Sequence, residues 1–334
     1  IVYKVVAFGL LTGLILTLGR SFGTYKFLQW ARNHARMLAF LVFAMGFALR
    51  IAWVNWVPHL PFSEEIPLLQ HARDLADGNG FIYNGHPTAR RSVGYCLFLA
   101  LFYLADKTEW IGFVHALLRA SVSVCLYLLG REMKGPVTGV AAAAIWAFFP
   151  TAIFASSLVL DEHVCLPLML LGLYFALVHV RRTGWRYLVF SGLCLGLGAL
   201  ARPIPSVLPA AIFLTFWIGA FSFWQSLKRS ALIAAIVVLC AAPWALRNWV
   251  TMGSPVLYCI SQYGFYWANN SSYDVRFPVN PTPQAGEDPE IVLARDMYHA
   301  GGPGEVIYSE VTVKKAREWI LQNPVLFLKK TAGK

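Results

Sequence analysis

The sequence has 334 residues, 57% of them hydrophobic and only 13% charged, with a mean hydropathy of +0.56 and a formal net charge of +11. A water-soluble domain carries about 25% charged residues, so half that share over this length excludes an ordinary soluble fold and points to lipid as the solvent. The positive charge would suggest nucleic acid as a partner in a soluble chain. Here much of it sits in short loops between apolar runs, as the positive-inside rule requires, and no nucleic-acid partner is expected.

Eight runs approach the roughly 20 apolar residues that a helix needs to cross the hydrocarbon core. They are 1–19, 37–57, 111–130, 137–157, 163–180, 187–201, 204–224 and 230–248. The first lacks a small-residue cleavage site before the basic stretch that opens at Arg20, so it reads as a span rather than a signal peptide. The chain starts on Ile1 rather than Met and stops at Lys334 just after an apolar run, and further sequence at one or both ends is expected. The loops carrying Arg20, Lys26, Arg32 and Arg36, then Arg131 and Lys134, then Arg181, Arg182 and Arg186, then Lys228 and Arg229 all fall on one side if each run crosses once. That side reads as cytoplasmic.

Residues 92–105 decide the parity. They are apolar but number only 14, which suits a re-entrant or interfacial helix. The outer face then receives the long loop 58–110, the turn near 158–162 and everything after 248. The expected fold is therefore an all-α polytopic membrane protein, with a transmembrane bundle over 1–248 and a non-cytoplasmic loop and helical segment over 249–334. Asn280, Pro281, Pro283 and Gly286 give that tail loop character, and a helical pattern follows at about 305–322. The six cysteines (Cys96, Cys125, Cys165, Cys194, Cys240 and Cys259) include no CxxC pair, which argues against a disulfide framework or a zinc site.

Polar residues at the outer ends of the spans carry the chemistry. Glu64 and Glu65 follow the second span and precede a short amphipathic helix; a carboxylate there suits a general base on a hydroxyl, although acidic residues also suit a helix start. Asp161, Glu162 and His163 stand at the mouth of two spans, where ionisable groups are costly unless paired or functional. Arg202, Arg247, Arg90 and Arg91 lie on the face that should be poor in cations, and Arg119 lies inside a span. Snorkelling accounts for each alone. Together they suit a phosphate-bearing ligand at the membrane surface, because a guanidinium grips phosphate in a bidentate fork.

With these motifs in place, residues 37–334 resemble the GT-C glycosyltransferases, in the bacterial branch related to protein O-mannosyltransferases and aminoarabinose transferases. The resemblance rests on Ser63-Glu64-Glu65 followed by His71 to Phe81, on Arg90-Arg91-Ser92-Val93-Gly94-Tyr95, on Asp161-Glu162, on Arg202-Pro203 after a Gly-Leu-rich span, on Pro243 to Asn248, and on Gly264 to Asn270. Two prolines usual near Tyr95 are missing, and Glu64 stands where the family has Asp. The resemblance implies a sugar donor on undecaprenyl or dolichyl phosphate, transferred with inversion to an acceptor hydroxyl of a protein, lipid or glycan. Glu64, favoured over Glu65, would be the base. Glu162 with Asp161 would position the acceptor or an arginine. Arg202 and Arg247, with Arg90, Arg91 and Arg119 nearby, would hold the phosphate. Tyr95, His163, Asn248, Asn269 and Asn270 would contact sugar or acceptor. No metal site is expected, though the acids leave a divalent cation open. The implied location is a bacterial inner membrane, with the site facing the periplasm or exterior and membrane lipid around it. A secondary transporter would place its site near the midplane and often carry an internal repeat, which is not found here. A non-catalytic transferase-like subunit of a membrane complex is the other alternative.

Overall fold

Apolar length decides the main elements of the computed structural model, which describes residues 24–259, 264–266, 268–270 and 288–332. The expected span 1–19 and the loop residues Asn280, Pro281, Pro283 and Gly286 lie outside the described residues. A short helix α1 (Thr24–Asn33) leads into α2 (Ala35–Trp56), whose 22 residues include no acid. At about 1.5 Å per residue, 22 residues reach about 33 Å, enough for the hydrocarbon core. The bundle continues with α5 (Ile111–Lys134), α6 (Pro136–Ala147), α7 (Pro150–Phe154), α8 (Glu162–Arg182), α9 (Trp185–Ala201), α10 (Leu208–Gly219) and α11 (Phe223–Met252). Between α2 and α5 lie α3 (Glu65–Ala76), a hairpin of β1 (Ile82–Tyr83) and β2 (His86–Pro87), and α4 (Val93–Leu104). Large apolar side chains such as Phe40, Leu101, Val238 and Leu239 stay exposed on the bundle surface, as lipid-facing residues do.

Among the described residues, α2, α5, α8 and α11 are long and apolar enough to cross on their own, and α6 with the segment Pro150–Ser157 forms an apolar pair bent by 59°, a broken span or a re-entrant loop. The expected span 187–201 forms α9, of 17 residues, which ends at Ala201 just before Arg202-Pro203. The expected span 204–224 differs: it forms a 3-10 turn (Ile204–Val207) leading into α10, of 12 residues. Pro205 and Pro209 explain that shortening, since proline lacks the N–H that a helix interior uses.

The bend at α6 has its own support. Pro150 interrupts the ladder, and carbonyls at the break need donors, since lipid supplies none. Arg50 of α2, fully buried, provides them: its Nη1 donates to the carbonyl of Ala147 (2.9 Å) and its Nη2 to that of Trp146 (3.1 Å), while Nη1 also donates to Gly46 O of its own helix (2.8 Å).

The 12 residues of α4 reach only about 18 Å, less than the roughly 30 Å of a hydrocarbon core. It nests against the end of α9 through Gly94. A Cβ built there would lie 2.6 Å from the Leu200 carbonyl carbon and 2.8 Å from the Ala201 nitrogen. Leu68 and Ala72 of α3, Phe81, Tyr95 and Leu99 of α4, Val159 and Ala201 form one buried cluster beneath the loops at this end. The hairpin turns through Asn84 and Gly85, both at positive φ, as a two-residue connection requires. Beyond residue 288, α12 (Pro289–Ala300) and α13 (Pro303–Gln322) pack on each other through Ile291, Ala294, Tyr308 and Ala316, and α14 (Pro324–Ala332) follows.

Candidate active site

The end of the bundle carrying loop 58–92 gathers three polar groups from distant sequence. In the first, Ser63 takes a left-handed backbone (φ 49°) that turns the chain into α3. Glu64 then forms an ion pair with the Arg91 Nη1. Glu65, one residue on, faces inward, is buried, and meets His59 Nε2 at 2.6 Å. The two acids thus have separate partners.

The second group lies where α8 begins and α9 ends. Arg202 caps the C-terminal end of α9, and its Nη1 donates to Asp161 Oδ1 (2.7 Å) and to Glu162 Oε1. Burial pushes the Asp161 carboxyl up to about 7, with Arg202 pulling the other way. Glu162 Oε2 is buried without a partner among the described residues, and the Arg202 side chain remains 37% exposed.

The third element joins the other two. Tyr258 sits in the short loop after α11. That loop is fixed by Trp244 Nε1 donating to Leu257 O (3.1 Å), by Asn248 Nδ2 donating to Val256 O (2.5 Å), and by the Cys259 amide donating to Ala89 O (2.8 Å). Burial raises the Tyr258 phenol to about 12, and Arg91, Asp161, Arg202 and Glu64 all act on it electrostatically. Charges from four separate stretches of chain therefore act on one phenol. Acids, guanidinium groups and a phenol at a membrane boundary suit proton abstraction from a hydroxyl beside a bound phosphate.

Under this cluster runs a buried polar chain. Tyr95 O–H and His115 Nε2 are 3.0 Å apart, His115 stacks on His163 with centroids 4.0 Å apart, and Arg119 Nε lies 3.1 Å from His163 Nδ1. A guanidinium only donates, so His163 Nδ1 must accept, and Nε2–H then donates to Leu158 O (2.8 Å). Both bonds fix one neutral tautomer of His163. The ring is fully buried and holds the turn before Asp161 in place.

Residues 92–246 match the dolichyl-phosphate-mannose-protein mannosyltransferase family. The match is to a GT-C superfamily domain and points to glycosyl transfer at a membrane. Comparison with curated proteins gives no match. The matched segment holds α4, Tyr95, Arg119, Asp161, Glu162, His163 and Arg202; Glu64, Glu65, Arg90 and Arg91 precede it, and Arg247 and Asn248 follow it.

Several residues expected at the donor phosphate or at sugar and acceptor have other partners. Arg90 points away from Arg91. Its Nε donates to Glu305 Oε1 (2.9 Å), its Nη2 donates to the Tyr298 carbonyl, and its guanidinium lies between the rings of Tyr83 (3.7 Å) and Tyr298 (3.8 Å). Arg247 Nη1 donates to Thr88 O (2.9 Å) and Asn248 Oδ1 (2.8 Å), and its Nη2 donates to Phe81 O (2.7 Å), so it ties α11 to the first loop. Asn269 Nδ2 donates to Phe265 O (2.8 Å) and Asn270 Nδ2 to Tyr266 O (2.7 Å), which stabilises their own turn. The geometry around Tyr258 leaves Arg91 and Arg202 as the guanidinium groups of the cluster.

Glu305, Tyr258, His59 and Arg50 were not singled out from the sequence. Glu305 is fully buried in the first turn of α13 and accepts from Thr88 Oγ1 (2.7 Å), the Ala89 amide (2.9 Å) and Arg90. Burial raises its carboxyl, opposed by those three bonds. Its signal was an acid in the helix-opening run Gly302-Pro303-Gly304-Glu305. Among the described residues, no three His, Cys, Asp or Glu side chains converge as cation ligands. Asp161 and Glu162 already share Arg202, and no step is assigned to a metal.

Proposed function

We propose that this chain transfers a sugar from a polyprenyl-phosphate donor to an acceptor hydroxyl, with inversion, at the non-cytoplasmic membrane surface. The observation that carries the reading is the pairing of Glu64 with Arg91 and of Asp161 and Glu162 with Arg202, at the end of the bundle away from the basic loops, with Tyr258 in the electrostatic reach of both pairs. The positive-inside distribution supports the sidedness: Arg131, Lys134, Arg181, Arg182 and Lys228 all lie at the other end. The proposed setting is a bacterial inner membrane with the site toward the periplasm or exterior.

The donor phosphate binds Arg91 and Arg202. By drawing Arg91 to itself, it loosens the ion pair to Glu64 and leaves that carboxylate open to a hydroxyl. Glu64 takes the acceptor proton as the acceptor oxygen attacks the anomeric carbon. The bond from that carbon to the phosphate oxygen breaks on the opposite face, and polyprenyl phosphate leaves with the bonding pair. The two guanidinium groups stabilise its charge. Asp161 and Glu162 hold Arg202 in place, and the partner-free Oε2 of Glu162 faces the acceptor. The exposed apolar residues Leu97, Leu101 and Leu104 on α4 give the prenyl tail a ledge beside the site.

The test is transfer from a polyprenyl-phosphate sugar by the purified chain in lipid, with the anomer of the product read by NMR. Glu64→Gln is expected to lower the rate at least about 100-fold, the usual share of a general base. The proposal fails if Glu64→Gln and Glu65→Gln both transfer at the full rate, or if the product retains configuration.

A further inference from the structure

At the opposite end of the bundle, a cleft of about 660 Å³ opens between five elements. Arg32 comes from the last turn of α1, Arg36 from the first turn of α2, Arg131 from the last turn of α5 and Arg182 from the end of α8, and Pro136 at the start of α6 closes one side. One carboxylate, Glu132, lines it, and that group already faces Arg131 (3.2 Å) and Arg181 (3.8 Å) from a buried position. Among the described residues, Arg32, Arg36 and Arg182 have no carboxylate within ion-pair distance.

Positive-inside topology asks only for cations in the loops. It does not ask that four guanidinium groups from four helices surround one cavity of ligand size. Guanidinium groups so placed repel one another unless an anion lies between them. The first turns of α2 and α6 also border the cleft, and helix N-termini favour negative charge. We propose that this cleft is a second binding site, distinct from the transfer site, for a phosphate group, and that Arg32, Arg36, Arg131 and Arg182 grip it in bidentate fashion. The phosphate is either the head group of an anionic lipid of the same leaflet, since basic pockets between helices at this depth take such head groups, or a soluble phosphate.

The test uses the full chain in phosphatidylcholine nanodiscs, with or without phosphatidylglycerol, and separately with inorganic phosphate in the buffer. Bound lipid is counted by native mass spectrometry, and thermal midpoints are recorded. Wild type is expected to retain phosphatidylglycerol selectively. An Arg36→Gln/Arg182→Gln variant should weaken that retention about tenfold for each guanidinium removed. Lys228→Gln, an exposed cation on α11 outside the cleft, removes one charge at the same end and should change nothing. An Arg36→Lys/Arg182→Lys variant, which keeps the charge and loses the fork, should fall between, and it serves if the glutamine variant does not fold. Stabilisation by inorganic phosphate without selective lipid retention assigns the site to a soluble phosphate. The proposal is overturned if neither probe is retained, if the glutamine variant binds like wild type, or if Lys228→Gln loses as much.

Discussion

The contact between Glu305 and Arg90 makes a quantitative prediction. Glu305→Ala leaves a guanidinium in a site where Arg90 is 7% exposed, and it takes the acceptor from the Ala89 amide and the Thr88 hydroxyl. Removing one partner of a buried ion pair costs about 3–5 kcal/mol. Arg90 keeps the Tyr298 carbonyl and two aromatic rings, which favours the lower end, about 3 kcal/mol. Released locally, that free energy raises the opening of α12 and α13 from loop 88–91 roughly 100-fold. Hydrogen exchange on the chain in nanodiscs reads it directly at the amides of 88–91 and 303–310. Glu305→Gln keeps the shape and loses the charge, and should cost about half as much, since charge-assisted bonds are about twice as strong as neutral ones. Replacing both partners, Arg90→Met with Glu305→Leu, should return exchange toward wild type, because an apolar pair need not be solvated. Wild-type exchange in Glu305→Ala would refute the reasoning, as would a double variant worse than either single one.

Three further outcomes are expected. Arg50→Met strips donors from carbonyls at the bend of α6, and should lower stability by about 2–3 kcal/mol, read as a fall in the thermal midpoint in detergent. Gly94→Ala brings a Cβ against rigid backbone at Leu200 and Ala201, so α4 must shift at a cost of about 1–3 kcal/mol; transfer activity should drop, and wild-type activity and midpoint together would contradict the close approach. The Asp161 carboxyl is raised to about 7, so the folded chain holds a proton there that the unfolded chain releases at about 3.9. The stability it contributes is complete below that lower value and disappears as pH rises to about 7. On activity, the neutral acid leaves Arg202 facing only Glu162, so donor KM should rise as pH passes 7, and Asp161→Asn should flatten the profile.

Much of the architecture was legible because hydrocarbon thickness imposes a length on every crossing helix. Residues 111–130 and 163–180 became α5 and α8 within a few residues, and the 14 apolar residues at 92–105 became the 12-residue α4. The break at Phe148–Phe149 was hidden because apolarity continues through it, and the prolines after α9 shortened α10, which hydropathy alone would extend. In the site, Asp161, Glu162 and Arg202 could be read as a group, since each is ionisable at a span end. Arg90 and Arg91 could not be told apart: their directions depend on Glu305 and Glu64, which lie 215 and 27 residues from them in sequence. Tyr258 carried no local pattern, and its position follows from hydrogen bonds made by its loop neighbours.

The divergence of Arg90 and Arg91 bears on grafting. Neighbouring Cα atoms are about 3.8 Å apart, yet one of these arginines anchors the hairpin of α12 and α13 and the other belongs to the cluster around Tyr258. A chimera that takes everything beyond residue 288 from another protein inherits an orphan cation one peptide unit from the proposed donor pocket, unless its replacement helix brings a carboxylate to the place of Glu305. Swapping that segment is therefore at least a two-position design, with Arg90 and Glu305 exchanged as a unit.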